Sequence, residues 1–506
     1  MSTFGNASYT KLREEYVSKR NGTTVYENNL VFASVPIGTL LCALLIPWFC
    51  NGSRVNTTIQ TSVRFAVAFF CLVLPPLLCC TMFADHLEGA LTSFVCACVG
   101  LLVFGDAVVS RRTERRDRGD GRKERAKSEV TPRWKHMMLL DMKGRRAYIC
   151  WSRAAVNLGS AIAILAYDFA IFPGRFGKTE VYGTGLMDHG VGGFIISHAI
   201  VCSEATEVAR PAKRGSPCAS LVKAAKSSIP LLMLGLARLI AIKTIGYHEH
   251  VTEYGVHWNF FLTLSVVKIA CAGIFLILPP KMSGIFALVL SVLYQYLLIN
   301  CGLADFLKYG SDGTDSRETL IDANREGLVS CIGYIALYFA GVQLGRILMK
   351  PRQYLRDFVV LLIQLNIVTA VLYVCMQVLS GEVEAVSRKM ANLAFVVWTL
   401  FVCCLMLVEF LIVELTIICA TSYGQLPYSG TDYTQPIREP CLLSAINRNG
   451  LLFFLLANIL TGLVNMSMDT LAASSGVAYL VLITYMLVIC LVVWIFHIKN
   501  ITTKVW

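Results

Sequence analysis

The chain has 506 residues, of which 56% are hydrophobic and only 15% charged, and it carries a formal net charge of +12. Soluble globular proteins carry about 25% charged residues, so this composition excludes one and makes a bilayer the solvent for most of the chain. The 19 cysteines sit inside apolar runs, as at Cys79-Cys80 and Cys403-Cys404, without the paired spacing of a zinc site or a disulfide framework. They read as small buried helix residues.

In chain order, residues 1–29 are polar, and the first apolar run is too long for a cleaved signal peptide. About twenty helical residues cross a hydrocarbon core of roughly 30 Å. On that measure thirteen helices are predicted, over 30–50, 62–84, 88–109, 148–168, 189–204, 228–247, 257–279, 283–304, 327–349, 357–379, 390–419, 450–469 and 475–496. The fold class is therefore all-α, a polytopic membrane protein, with one multi-helix domain over 30–506. The segment at 189–204 is short and rich in glycine (Gly190, Gly192, Gly193), so a tilted or re-entrant piece fits there. The segment at 390–419 is long enough to tilt.

Loop 110–147 sets the orientation. It carries Arg111, Arg112, Arg115, Arg116, Arg118, Arg122, Lys123, Arg125 and Lys127, and basic loops stay in the cytosol. Its interleaved Glu114, Asp117, Asp120 and Glu124 argue against nucleic acid and for contact with anionic lipid headgroups. An odd number of crossings then puts the N-terminus in the lumen and the C-terminus in the cytosol. Asn6-Ala-Ser and Asn21-Gly-Thr match the glycosylation pattern on the lumenal side. Asn51-Gly-Ser and Asn56-Thr-Thr match it too but face the cytosol, and Lys11, Arg13, Lys19 and Arg20 weigh mildly against a lumenal N-terminus.

Four polar loops, 168–188, 248–256, 305–326 and 380–389, fall on the face away from the basic loop. They carry Asp168, Lys178, Glu180 and Asp188, then His248, Glu249, His250 and Glu253, then Asn324, Arg325 and Glu326 where the next span begins, and Arg388 and Lys389. An ionised group at the bilayer centre costs about 2.5–3.5 kcal/mol, so such groups gather at cavities and mouths. Tyr247–Phe261 is the densest stretch, with three of the eight histidines and two glutamates. Metal ligation by His248, His250 and Glu253 lacks the His-Glu-x-x-His spacing; a polar network that grips sugar hydroxyls suits it better. Tyr254 and Trp258 suit an interface belt or a sugar-stacking surface.

Within these loops, several blocks carry a resemblance. They are Ala166-Tyr-Asp168-Phe-Ala-Ile-Phe-Pro173-Gly-Arg175-Phe-Gly-Lys178-Thr-Glu, Gly183-Thr-Gly-Leu-Met-Asp188-His-Gly-Val-Gly192, Tyr247–Phe261, Ala323-Asn324-Arg325-Glu326-Gly327, Ser387-Arg388-Lys-Met-Ala-Asn392-Leu, and Asn458 through Gly462-Leu-Val-Asn465-Met-Ser-Met468. In this order the chain resembles the inositol acyltransferase of glycosylphosphatidylinositol (GPI) anchor biosynthesis. The resemblance covers about 166 to 468. It departs at Gly174, where the family pattern has arginine, and at Ala170, where it has proline.

The resemblance implies an endoplasmic reticulum enzyme that moves a fatty acyl group, usually palmitoyl, from acyl-CoA to the inositol of glucosaminyl-phosphatidylinositol. It implies no permanently bound cofactor, with acyl-CoA (palmitoyl-CoA) as co-substrate. It also implies catalytic roles for Asp168 and Lys178. Acyl transfer to an alcohol needs a base and a stabiliser for the oxyanion. Asp168 ends an apolar span, where desolvation raises its pKa and a nearby Lys178 lowers it. Pro173 and Gly174 break any helix between the two.

The expected substrate-binding residues are Arg175, Asp188 and Arg238, with His250, Glu253, Tyr254, His257, Trp258 and Asn259 from the histidine-rich stretch. Asn324, Arg325, Glu326, Asn392, Asn458 and Asn465 complete the set. No metal site is expected. Arg153 and loop 205–227 are candidate contacts for coenzyme A phosphates on charge alone. Two rivals are a secondary transporter, favoured by intramembrane charges and broken helices, and a lipid-handling scaffold. No inverted repeat is visible to support the first, and the ordered motif blocks speak against the second.

Overall fold

A computed structural model describes residues 20–49, 58–119, 137–142, 144, 146–209, 217–245, 253–423, 426 and 441–503. Within these the protein is all-α, with only two isolated bridge pairs, Gly22 with Thr184 and Asp141 with Tyr354. The long elements in chain order are α1 (Val25–Phe49), α2 (Thr58–Cys79), α3 (Leu87–Gly119), α4 (Ala147–Ala166), α5 (His189–Ala199), α6 (Pro217–Ile245) and α7 (Phe260–Ile274). There follow α8 (Ser283–Asn300), α9 (Arg325–Leu348), α10 (Leu355–Glu382), α11 (Leu393–Ser422), α12 (Gly450–Ser467) and α13 (Ser475–Ile498).

Each of the thirteen predicted segments contains a helix among the described residues, but the predicted count of thirteen spans is corrected. Among the described residues eleven helices are long and apolar enough to cross a bilayer, or twelve if a bent pair counts as one span. That pair is Leu186–Ala199 with Ser203–Ala209, which meet at 48°. The break follows from Cys202, whose extended backbone and sulfur cap the second piece at Ala205 N. The other shortfall is α7. Asn259 caps it by accepting from Phe261 N and Leu262 N, and Pro279-Pro280 stops the chain soon after its end. Fifteen residues at 1.5 Å rise reach only about 22 Å, short of the bilayer core.

Among the described residues α11, α9 and α4 are the most enclosed spans, and α3, α6 and α10 are the least enclosed. Between membrane helices the driving force is close packing rather than hydrophobic transfer, so small residues mark the contacts. On α9, a Cβ added at Gly341 would stand 2.7 Å from Ala199 Cβ, and one at Gly345 would stand 2.6 Å from Ile200 O. The Gly341-x-x-x-Gly345 spacing thus seats the end of α5 directly on α9.

Charges on the face holding the ends of α9 and the start of α4 serve helix termini. Arg146 donates to Met349 O, Arg352 to Ile347 O and Leu348 O, and Arg346 to Glu204 O. Arg153 is occupied by Ser197 O and Asn447 Oδ1. Glu414, deep in α11, accepts from Tyr148 N in the first turn of α4, a helix start that has no side-chain cap of its own.

Candidate active site

On the opposite face, the segments between helices are stitched together by backbone and side-chain hydrogen bonds. The loop after α4 meets the segment after α10 through Gly183 N to Val386 O (2.8 Å), Ser387 Oγ to Val181 O (2.6 Å) and Tyr182 OH to Glu384 (2.8 Å). It also meets the N-terminal segment, where Thr23 N donates to Thr184 O and Thr184 Oγ1 to Thr23 O. Gly22, at φ +77°, allows this because a Cβ there would lie 2.6 Å from Thr184 C. The loop before α7 meets the start of α9 through Val256 N to Ala323 O (2.8 Å), His257 N to Asn324 Oδ1 (2.8 Å) and Gly327 N to Tyr254 O (3.0 Å).

These loops close one end of a cavity of about 880 Å³. Asp168, Lys178, Arg238, Glu253, Tyr254, Asn259, Arg388, Asn458 and Asn465 all line it. Its other walls are apolar and come from α1, α4, α5, α7 and α12, with Ala155 and Val156 of α4 among them. Asp168 and Ala155 are thirteen residues apart, close to 20 Å of helix rise. The cavity is therefore an apolar shaft with a charged head.

At the head, Asp168 Oδ2 accepts from Asn465 Nδ2 of α12 at 2.8 Å. Lys178 Nζ donates to Glu253 Oε1 at 2.7 Å. Arg388 donates through Nε to Asp188 Oδ1 at 2.8 Å, and its Nη1 stands 3.8 Å from Glu253 Oε1. Its guanidinium also lies 5.9 Å from the Tyr254 ring centre, within cation–π range. Burial pushes the Glu253 carboxyl up, but Lys178, Arg388 and Arg238 outweigh it and hold the pKa at about 2. Burial pulls the Arg388 guanidinium down, and Glu253 and Asp188 more than reverse this, so its pKa is raised. Burial and the Glu253 charge raise the Tyr254 hydroxyl above its usual range.

Other expected site residues hold the loops rather than face the cavity. Asp188 is fully buried and accepts from Thr179 N, Thr179 Oγ1 and Gly185 N as well as Arg388. Arg175 pairs with Glu27 and Asp85. Beside it, Gly174 leaves the space its side chain would fill to the Arg20 guanidinium. Asn324 Oδ1 fixes His257 N, and Trp258 donates to Thr263 Oγ1. Arg325 binds the carbonyls of Leu307, Ser316 and Asp322 and the Asp315 carboxylate. Glu326 takes both terminal nitrogens of Arg317. Asn392 caps α11 and donates to Glu384. Asn259 both caps α7 and donates to Gly235 O of α6, which brings Arg238 to the cavity. His248, Glu249 and His250 lie outside the described residues.

Arg388 and His189 are among the cavity residues outside the set expected from sequence. Arg388 sat in a recognised block, but its partner Asp188 is 200 residues away, so no local pattern pointed to its role. His189 is buried in the wall between Phe32 and Trp398; it follows Asp188 within a recognised block, but its residue type alone did not mark it as facing the cavity.

The GWT1 family profile matches residues 9–496. The chain is 35% identical over 528 residues to "Glucosaminyl-phosphatidylinositol-acyltransferase PIGW" of Bos taurus, covering 99% of this chain and 100% of the relative. It is 35% identical over 525 residues to the Homo sapiens protein of that name, again covering 99% and 100%. It is also 32% identical over 501 residues to "GPI-anchored wall transfer protein 1" of Gibberella zeae, covering 95% of each. On this match, the chain belongs to the GWT1/PIGW-like family of GPI inositol acyltransferases.

Proposed function

We propose that this protein transfers a fatty acyl group, palmitoyl by family resemblance, from acyl-CoA to an inositol hydroxyl of glucosaminyl-phosphatidylinositol, in the endoplasmic reticulum membrane. The observation that carries this is the cavity: Asp168 and Lys178 both line one cavity whose other walls are largely apolar. A lipid glycan and a thioester meet at its charged head, and acyl chains occupy its apolar shaft. Asp168 takes the inositol proton as the oxygen attacks the thioester carbonyl. The new C–O bond forms, and the carbonyl electrons move to oxygen. Lys178 offers its ammonium to that oxyanion. The C–S bond then breaks, and coenzyme A leaves as a thiolate that takes up a proton. Base catalysis contributes about 10²–10⁴-fold, and one oxyanion donor about 10²–10³-fold.

Three further cavity residues bind the acceptor. Arg238 and Asn458 face the headgroup space, and Tyr254 presents a ring and a hydroxyl to the sugars. The four polar loops lie on the lumenal side and the basic loop 110–147 on the cytosolic side, by the basic-loop rule; the N-terminal segment shares the face of the site loop through the Thr23–Thr184 bonds. The test uses purified protein in liposomes with glucosaminyl-phosphatidylinositol and labelled palmitoyl-CoA. The expected result is an alkali-labile acyl ester on inositol, with coenzyme A released in equal amount. Hydrolysis of palmitoyl-CoA without that ester, or solute flux in its place, overturns the assignment.

A further inference from the structure

Lys178 is held from both of its ends by one closed chain of contacts. Its ammonium donates to Glu253 Oε1 at 2.7 Å. Glu253 Oε1 faces Arg388 Nη1 at 3.8 Å, and Arg388 Nε donates to Asp188 Oδ1 at 2.8 Å. Asp188 then accepts from the backbone N and hydroxyl of Thr179, the residue next to Lys178. The chain thus returns to its start. Side-chain exposure falls along it, from 35% at Lys178 to 19% at Glu253, 6% at Arg388 and 0% at Asp188. It runs from the cavity wall into the protein, each interior charge lying beside an opposite one.

A flexible lysine stem has four rotatable carbons, and its charge is strongly hydrated. Left alone, it would wander and keep water around it. A carboxylate fixed behind it removes that freedom, while only one of its three N–H donors is spent. The other two stay available on the cavity side. Glu253 cannot itself be the group that reads the sugar through Oε1, because that oxygen is taken by two cations.

We propose that Glu253 is the positioning residue for Lys178, anchored by Arg388 and Asp188, so that the chain aims the ammonium at the point where the transferred acyl group becomes an oxyanion. This rests on the role given to Lys178 under Proposed function. Misplacing a reacting group by about 1 Å can cost around 100-fold in rate, so a loss of tenfold to a hundredfold is expected when the aim is lost.

The test is a double-mutant cycle in liposome-reconstituted full-length protein, each variant first checked for a cooperative melting transition. Wild type, Glu253→Gln, Lys178→Ala and the double variant, each accepted when it melts cooperatively above the assay temperature even if its melting point is shifted, are compared by single-turnover acyl transfer, and kcat and KM are measured for both substrates. Glu253→Gln is expected to lower kcat by about 10–100-fold with both KM values within about threefold of wild type. Adding it to Lys178→Ala should cause no further loss, because Glu253 acts only through that ammonium. Glu253→Asp, which keeps the charge on a shorter arm, should recover part of the rate. A multiplicative loss in the double variant, or a raised acceptor KM at unchanged kcat, overturns the positioning role and leaves the role of Lys178 standing. Near-normal turnover in Lys178→Ala overturns that role and this inference with it.

Discussion

The two faces of the bundle use the same residue types for different ends. On the face holding Arg146, Arg346 and Arg352, arginines donate to carbonyls at helix ends, where unsatisfied C=O groups and the helix dipole favour a cation. Glu414 does the reverse at the start of α4. On the cavity face, Lys178 and Arg388 bind carboxylates carried by loops distant in sequence, and the resulting chain borders a cavity. Charge that satisfies a helix end stabilises the fold. Charge that balances charge around an accessible cavity leaves chemistry available.

If that contrast holds, substitutions should separate rate from stability by face. The largest effect is expected for Lys178→Ala, with a loss of about 10²–10³-fold in kcat and only a small change in melting temperature. Next comes the shaft. Replacing Ala155 by Phe should cut transfer from long acyl-CoA at least tenfold relative to a short-chain donor, since each methylene that loses its place in an apolar site is worth about 10–200-fold. An equal fall for both donors would place the acyl chain elsewhere.

Smaller effects fall on stability. Gly345→Leu drives a side chain into Ile200 O and should cost about 1–3 kcal/mol by overpacking, read as a lower melting temperature in detergent. Arg352→Gln should cost about 1 kcal/mol through lost carbonyl bonds with kcat unchanged; a large rate loss there would break the comparison.

The smallest concerns pH. Glu253 is held below its ordinary 4.5, at about 2. A depressed carboxylate stabilises the fold fully above its unfolded value and loses that contribution as pH falls through the folded one. The melting difference between wild type and Glu253→Gln should therefore stay constant from about pH 5 to 8 and shrink below about pH 4.5.

Much of this architecture was legible from the chain. Runs of apolar residues located every long helix because a bilayer leaves no other way to satisfy the backbone. Polar loops stood out for the same reason. Span ends were less legible: Asn259 and Cys202 act through caps, and an apolar run does not announce where a cap shortens or bends it. The candidate site divided in the same way. Asp168, Lys178, Arg238, Glu253, Tyr254, Asn259, Asn458 and Asn465 do share one cavity. Asp188, Arg325, Glu326 and Asn392 carry the same polar signal yet are spent on holding loops. Residue type cannot separate these two uses, because the difference lies in the partners each side chain meets, from three to two hundred residues away.

Asp168→Asn is the most direct test of the assignment of chemistry to the charged head. The variant keeps its size and can still bond Asn465, but it cannot take the inositol proton. In purified, folded protein, palmitoyl-CoA should bind as in wild type while single-turnover transfer to glucosaminyl-phosphatidylinositol falls about 10²–10⁴-fold. Transfer at a near-normal rate with intact binding would contradict the account.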